Sequence, residues 1–496
     1  MSLLDQRDDI ELPYEFARVH RLLAYWKETQ LTVLSEKKLT SSLYQELTRV
    51  LKAEFFVEVC SPKTFDSMLT QQYSNHGDGA GFTEDFSENF DLQSFANTLA
   101  PTEDLLSGAN DAPIIKLING VLSQAIKVRA SDIHFEPYED NFIIRYRIDG
   151  ILQEVLTHDA RMSAPIISRL KIIARLDIAE RRKPQDGRVS LSLGTNKVDV
   201  RVSTLPSSYG ERVVLRLLDK KAAQINITDL GLPTTILDSY KTALTFSEGI
   251  ILVTGPTGSG KTTTLYSGLR HISDASQNIL TVEDPIEYTL SGIGQTQVNS
   301  KAGYDFASGL RSILRQDPDI VMVGEIRDVE TAKIAIQASL TGHLVLSTVH
   351  TNSAIGAIAR LRDMGVESYL LASSIRMVMS QRLVRRLCSS CKLEIEPPES
   401  IQQKFSLKKH DSIYQSQGCE DCGHSGFKGR VALAECINVT DELKALIHDE
   451  ASENLLAQCA FKNTSSIDTS SIKLLLEGIT SYQELLKVQN HHDANL

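Results

Sequence analysis

The sequence predicts a multidomain α/β protein, and three observations lead there. From about Thr228 onward, short apolar strands alternate with helical stretches, the pattern of a mainly parallel sheet covered by helices. Ahead of that, an amphipathic helix is followed by strands that alternate apolar and polar side chains, a separate α+β pattern. The chain has 496 residues, too many for one core and enough for about three domains. The expected division is a small N-terminal module over 1–70, an acidic connecting segment over 71–110, an α+β domain over 111–227 and an α/β core over 228–496.

The N-terminal module mixes short apolar runs (Leu22 to Trp26, Phe55 to Val57) with helical charge patterning, consistent with a small α/β unit. Between Lys63 and Lys116 there is no Lys or Arg but there are nine Asp and Glu residues, together with Gly77-Asp78-Gly79-Ala80-Gly81. Such a stretch reads as a flexible, solvated linker with room for a short helix. Order returns at Asp111, a candidate cap for a helix whose apolar positions Ile114, Leu117, Ile118, Val121, Leu122 and Ala125 recur at three and four. Phe142 to Ile148 alternates and ends at Asp149-Gly150, a hairpin turn signal. Val198, Val200 and Val202 alternate likewise, and Arg212 to Leu218 closes the domain near Asp219. In the core, strands are expected at Ile250 to Thr254, Ile279 to Val282, Ile320 to Val323 and Leu344 to Ser347.

Composition narrows the function classes. Hydrophobic residues make up 42% and charged residues 23%, ordinary for a chain that buries large cores. No apolar run approaches the roughly 18 residues of a membrane span. The first residues are acidic where a signal peptide is basic, so a cytoplasmic protein is expected, held at a membrane only through a partner. A net charge of -11 argues against a chain built mainly to coat nucleic acid.

The strand Gly249 to Thr254 runs directly into Gly255-Pro256-Thr257-Gly258-Ser259-Gly260-Lys261-Thr262, followed by Thr263 and a helical stretch. This is a Walker A loop in its proper strand–loop–helix setting. Its glycines let backbone N–H groups close around phosphate oxygens, Lys261 suits the β- and γ-phosphates, and Thr262 suits Mg²⁺. A second strand, Asp319 to Val323, ends in Gly324-Glu325. Glycine stands where a Walker B aspartate would hold Mg²⁺, and Glu325 is placed to orient or activate the attacking water. Metal-side carboxylates must then come from elsewhere, and Glu283, Asp284 and Glu287 after the Ile279 to Val282 strand are suppliers, although the run also fits an acidic turn before proline. His343 and His350 flank a further strand; each suits a γ-phosphate sensor and equally a hydrogen-bonded structural role.

Seven cysteines include two Cys-x-x-Cys pairs, Cys388 with Cys391 and Cys419 with Cys422. Four thiolates in two knuckles are the ligand set of a closed structural Zn²⁺ site, with reduced free thiols or a redox pair as the other readings. Cys60, Cys436 and Cys459 stand alone and suit buried apolar positions.

Walker A, an acidic box, a Walker B ending in Gly-Glu and a histidine box, in this order, resemble the secretion-superfamily ATPases. The runs Arg129 to Glu136, Leu176 to Arg182, Pro184 to Arg188, Gly309 to Asp319 and Gly324 to Asp328 are more specifically similar to the type II secretion ATPases, known as general secretory pathway protein E. That resemblance implies a RecA-like P-loop core preceded by a PAS-like α+β domain and a small N-terminal docking domain. It implies ATP hydrolysis with Mg²⁺, Glu325 as the catalytic glutamate, and Arg201, Arg216, Arg311 and Arg315 reaching toward phosphates. Arg201 and Arg216 lie outside the P-loop core, and surface pairs with Asp199 and Glu211 are their alternative. The resemblance also implies a homo-hexamer on the cytoplasmic side of the inner membrane, docked by residues 1–70 on the cytoplasmic domain of the bitopic protein L and working with the platform protein F. No nucleic-acid partner is expected. A tetracysteine subdomain, here 383–435, marks type II secretion and pilus extension ATPases, whereas retraction motors generally lack it. This chain departs from the family at Val431-Ala432-Leu433-Ala434-Glu435, where Thr-Gly-Ile-Tyr-Glu is usual. The alternatives are a type IV pilus extension ATPase, a nucleic-acid translocase and a scaffold that binds nucleotide without hydrolysing it.

Overall fold

The computed structural model describes residues 12, 17, 20–27, 30–37, 39–51, 53–61, 64–65, 68, 92–93, 112–193, 196–218, 225–408, 410–462, 464 and 466–493. The proposed cap Asp111 and most of the acidic segment lie outside them. The chain divides into two compact units after Leu218. The α+β domain was expected to run to residue 227, and Ile227 explains the difference. It is buried among Tyr240, Leu265 and Leu269 in the second unit, and Arg270 donates to the Ile225 carbonyl there at 3.3 Å.

The first unit begins with a three-stranded sheet. β1 (Leu22–Lys27) pairs antiparallel with β2 (Gln30–Ser35), and β2 pairs parallel with β3 (Phe55–Val59) after the helix Ser41–Leu51 crosses over. Leu22, Leu23, Leu31, Val33, Leu47 and Phe55 form its core. In the acidic segment Leu92 is buried against Ile114 and Leu117, and Gln93 bonds the Thr157 carbonyl at 3.2 Å, so this short piece packs rather than acting as spacer.

Next comes a six-stranded antiparallel sheet. Its strands are β4 (Asp132–Pro137), β5 (Asn141–Ile148), β6 (Ile151–Asp159), β7 (Gln185–Leu193), β8 (Asn196–Ser207) and β9 (Gly210–Leu218), in the order β6-β5-β4-β9-β8-β7. The turn between β5 and β6 has φ of 48° at Asp149 and 88° at Gly150, the two positive values that a tight hairpin demands. Alternation does the rest. Ile133, Phe135, Ile144, Tyr146, Val200, Val202, Val213 and Leu215 face the helices Ala112–Lys127 and Ser163–Ile173 in one core. The opposite face carries Asp132, His134, Arg145, Arg147, Arg201 and Arg216.

The second unit is built on a seven-stranded sheet. Six strands run parallel: β10 (Gly249–Thr254), β11 (Ile279–Glu283), β12 (Gly294–Gln297), β13 (Ile320–Val323), β14 (Leu344–Val349) and β15 (Ile375–Leu387). β16 (Leu393–Ile395) and β17 (Ile413–Gln415) form a small hairpin outside this sheet, and β18 (Phe427–Asn438) returns antiparallel to β15 at its edge. The order β12-β11-β13-β14-β10-β15-β18 puts β10 between β14 and β15. Both faces are buried, which is why the strands read as continuous apolar runs.

The Val431 to Glu435 departure lies on β18. Glu435 is buried there and accepts from the amides of Ala354 (2.7 Å) and Ile467 (3.3 Å), which open two helices. Carboxylates are favoured at helix N-termini. The last helix, Tyr482–Asp493, is pinned by Glu484. Burial alone would raise the Glu484 pKa, but hydrogen bonds from Arg385 and Lys487, both 2.8 Å, outweigh it and hold the group at about 2. A depressed carboxylate stabilises the fold above its ordinary value of 4.5, and the contribution drains away as pH falls toward about 2. Glu484→Gln should therefore cost on the order of 2 kcal/mol at neutral pH. Denaturation followed by circular dichroism should show the gap to wild type closing between pH 4.5 and 2; a gap independent of pH would refute the ion-pair account.

Candidate active site

β10 ends at Thr254, whose hydroxyl lies within 2.9 Å of the Val349 and Thr351 carbonyls and so ties the loop entrance to the end of β14. The loop then turns through positive φ at Gly255 (142°), Gly258 (79°) and Gly260 (90°), and the helix Lys261–Ile272 starts immediately. A Cβ on Gly255 would lie 2.2 Å from the Gln381 carbonyl oxygen, and one on Gly260 would lie 2.9 Å from the Gln381 amide nitrogen. Gln381 also accepts from Thr264 at 2.7 Å, so a buried residue of β15 shapes the loop from beneath. No motif in the sequence pointed to Gln381.

Lys261 is buried and donates to the carbonyls of Gly255 (2.8 Å) and Pro256 (3.0 Å). Burial lowers its pKa, and the charge of Glu325 works against that shift. Among the described residues the buried Ser259 hydroxyl has no hydrogen-bond partner. An orphaned donor beside a buried lysine at a helix N-terminus is the chemistry a phosphate group satisfies. Thr262 is exposed at the first turn, open to a cation, and Thr263 follows half-buried.

β13 delivers Glu325 to the same sheet edge as the loop, with its carboxylate largely buried. One oxygen meets Arg327 Nη2 at 2.5 Å and the other faces His350 Nε2 at 3.3 Å. Arg327 lies in a run that carries the family resemblance, yet nothing in its position disclosed this contact. The acidic box divides. Glu283 is buried and accepts from Tyr266, from Thr281 at 2.5 Å and from Gln295 at 3.0 Å, so its oxygens are committed to the protein. Asp284 is exposed, and its charge acts on Arg327; Glu287 is half-buried.

Two expected site residues, His343 and Arg315, are not brought to this edge, and Arg311 is held by another carboxylate. β14 is in register with β10 from Gly249↔Leu344 to Thr254↔Val349, so His350 lies at the loop end and His343 at the other. A six-residue strand separates them by about 20 Å. His343 instead lies 3.0 Å from the Ala338 carbonyl and 3.3 Å from Thr341, a structural role. Arg311 is taken up by Glu330 at 2.6 and 2.7 Å. Arg315 is exposed just before the turn that Asn278 binds, where β13 enters the sheet, the edge away from the loop.

In the first unit, Arg201 and Arg216 are cross-strand neighbours. Arg201 is 3.8 Å from Asp186, and Arg216 donates to Asp132 at 3.0 Å. Glu211, offered as an alternative partner, is instead buried with Lys171 at 2.5 Å.

The four cysteines converge. Sγ atoms are 3.8 Å apart for Cys388 and Cys419, 3.9 Å for Cys391 and Cys422, and 3.7 Å for Cys419 and Cys422. Zn–S bonds of about 2.3 Å in a tetrahedron give an edge of about 3.8 Å. The amides of Cys419 and Gly426 each approach the Cys422 sulfur at 3.2 Å, which favours a thiolate. Cys388, Cys391, Cys419 and Cys422 fit the ion the knuckle spacing suggested.

A family profile described as "Type II/IV secretion system protein" matches residues 107–487, and a second, for a domain of "GSPII protein E", matches residues 11–73. The chain is 48% identical to the type II secretion system ATPase E of Vibrio cholerae, over 96% of each. It is 47% identical to the type II secretion system protein E of Klebsiella pneumoniae, again over 96% of each. Among solved structures, the Legionella pneumophila ATPase DotB shares the fold, with a TM-score of 0.56 at 22% identity over 76% of this chain and 96% of that one. The pilus retraction motor PilT matches with a TM-score of 0.51 at 25% identity over 74% and 95%. With such identity along nearly the whole of both sequences, the chain belongs to the type II secretion system protein E family of secretion ATPases.

Proposed function

We propose that this secretion ATPase works as a homo-hexameric ring on the cytoplasmic side of the inner membrane, hydrolysing ATP to drive pseudopilus assembly. The observation that carries the reading is that β10 and β13, both paired parallel with β14, bring the Lys261 loop and Glu325 to the same end of the sheet. In this reading Lys261 and the Gly255 to Gly260 amides hold the phosphates, Thr262 and the exposed Asp284 face Mg²⁺, and Glu325 orients water. The metal, when bound, offsets phosphate charge. Arg201 and Arg216 supply positive charge to the phosphates, at the expense of their pairs with Asp186 and Asp132. Zn²⁺ on the four cysteines is structural.

Residues 1–70 dock on the cytoplasmic domain of protein L, and the platform protein F takes up the motion. β3, at the edge of the three-stranded sheet, exposes Phe56 by 59% and Val59 by 54%, apolar surface suited to a protein partner. Phe56→Asp should weaken binding to that domain at least tenfold, as for a hot-spot aromatic, and leave basal hydrolysis unchanged. Calorimetric titration checks it; unaltered affinity would move the docking surface elsewhere.

The deciding experiment is steady-state hydrolysis by the purified chain with and without the cytoplasmic domain of protein L, with mass measured in parallel. Stimulation accompanied by a hexamer mass supports the reading. Neither binding nor stimulation would leave an ATPase and move pilus extension to the front.

A further inference from the structure

Glu325 is held from both sides by its own chain. Its carboxylate is 12% exposed, whereas Arg327, on its first oxygen at 2.5 Å, is 65% exposed. The second oxygen faces His350 at 3.3 Å. The hydrogen bond to Glu325 is the largest influence on the Arg327 pKa and raises it; burial opposes it, and the charges of Glu325 and Asp284 add to the rise. The guanidinium is committed to Glu325. A carboxylate that orients water needs a lone pair free for that water. A guanidinium at this distance makes a strong charge-assisted hydrogen bond and removes one.

We propose that Arg327 is a latch on Glu325. Arg327 neutralises Glu325, and turnover requires it to release that carboxylate. The release has a physical cause on the same edge. The divalent cation that arrives with a nucleotide competes with Arg327 for the carboxylates of this edge, while the phosphates engage Lys261. Arg327 is the one able to leave, because it is long and mostly exposed, while Lys261 is buried and bonded to two carbonyls. Arg327 is a positioning residue: it acts through Glu325 and touches no reacting atom. The proposal rests on the reading of Glu325 as the group that orients water.

The test uses the full chain with Arg327→Gln, Arg327→Lys and Glu325→Gln. It measures kcat, the Mg²⁺ concentration at half-maximal rate, and equilibrium binding of a fluorescent, non-hydrolysed ATP analogue. Removing the latch should raise kcat about three- to tenfold, lower the half-saturating Mg²⁺ by a similar factor and tighten analogue binding, equivalent to roughly one charge-assisted hydrogen bond. Arg327→Lys keeps the charge without the planar fork and should fall between; it carries the test if the glutamine variant fails to fold. A fall in kcat, or three unchanged parameters, would overturn the latch. If Glu325→Gln turns over like wild type, the reading of Glu325 fails instead. If that variant is inactive while Arg327→Gln is no faster, only the latch fails.

Discussion

Glu325→Gln should lower ATP turnover by about 10²- to 10⁴-fold, the range that a positioned acid–base group supplies, while nucleotide binding stays close to wild type. The side chain keeps its size and sits at the end of β13, which is buried from Ile320 to Val323, so the fold should tolerate the change. The amide can still accept from Arg327, but it carries no charge to orient a water. Binding should survive because the phosphate contacts come from elsewhere, from Lys261 and the glycine loop. Losing the carboxylate also removes the charge that opposes the fall in the Lys261 pKa. The loop amides and the helix N-terminus still face the phosphates, so affinity should change little. Rapid-quench hydrolysis alongside fluorescent nucleotide binding separates the two. Equal loss of binding and turnover would mean that Glu325 builds the pocket and does not serve the chemistry.

The second large effect concerns the four cysteines. Metal analysis of the purified chain should find one zinc, and Cys419→Ser should abolish it. Isolated zinc fingers draw about 10–16 kcal/mol of apparent folding free energy from their metal. Here the loss should be smaller and local, since the surrounding piece has other anchors. Ile401, Phe405 and Ile413 are buried against Leu474 and Leu475, and Lys392 donates to the Gly478 carbonyl at 2.9 Å. Limited proteolysis should then cut between Cys391 and Cys419, with the sheet intact by circular dichroism. Zinc-free protein that resists protease as well as wild type would assign the thiols another purpose.

Much of this molecule was legible because its local signals agree with the global fold. The Walker A loop announced itself by its glycines and by the apolar strand before it. Asp149-Gly150 announced a hairpin because few other residues accept two positive φ values in succession. What stayed hidden depends on pairing at long range. Arg216 finds Asp132 across a strand pair 84 residues apart in sequence, while the nearer candidate Glu211 is claimed by Lys171. Gln381 supports a loop more than a hundred residues upstream through its carbonyl and amide, which no local pattern reveals. His343 shows where two open readings part: both histidines flank one strand, and a strand that separates two residues also holds them apart. Ile227 moved the domain boundary for a related reason, since a short apolar segment between domains joins whichever core has room for it.

The return of β18 along β15 has a consequence for how this motor can vary. Leu387 and Phe427 face each other across the last rungs of that ladder, so everything from Cys388 to Gly426 is the tip of one very long hairpin. Loop closure costs little more as a hairpin tip grows, and the seven-stranded sheet is complete without it. Truncation after Leu387 would strip β15 of its neighbour and leave a raw edge, but internal excision with a short turn would keep the ladder whole. The apolar residues that share a core with the tip, among them Ile467, Leu474, Leu475 and Leu485, would then need polar replacements. The four-cysteine piece is therefore built as an appendage to the sheet, entered and left at a single rung of one ladder.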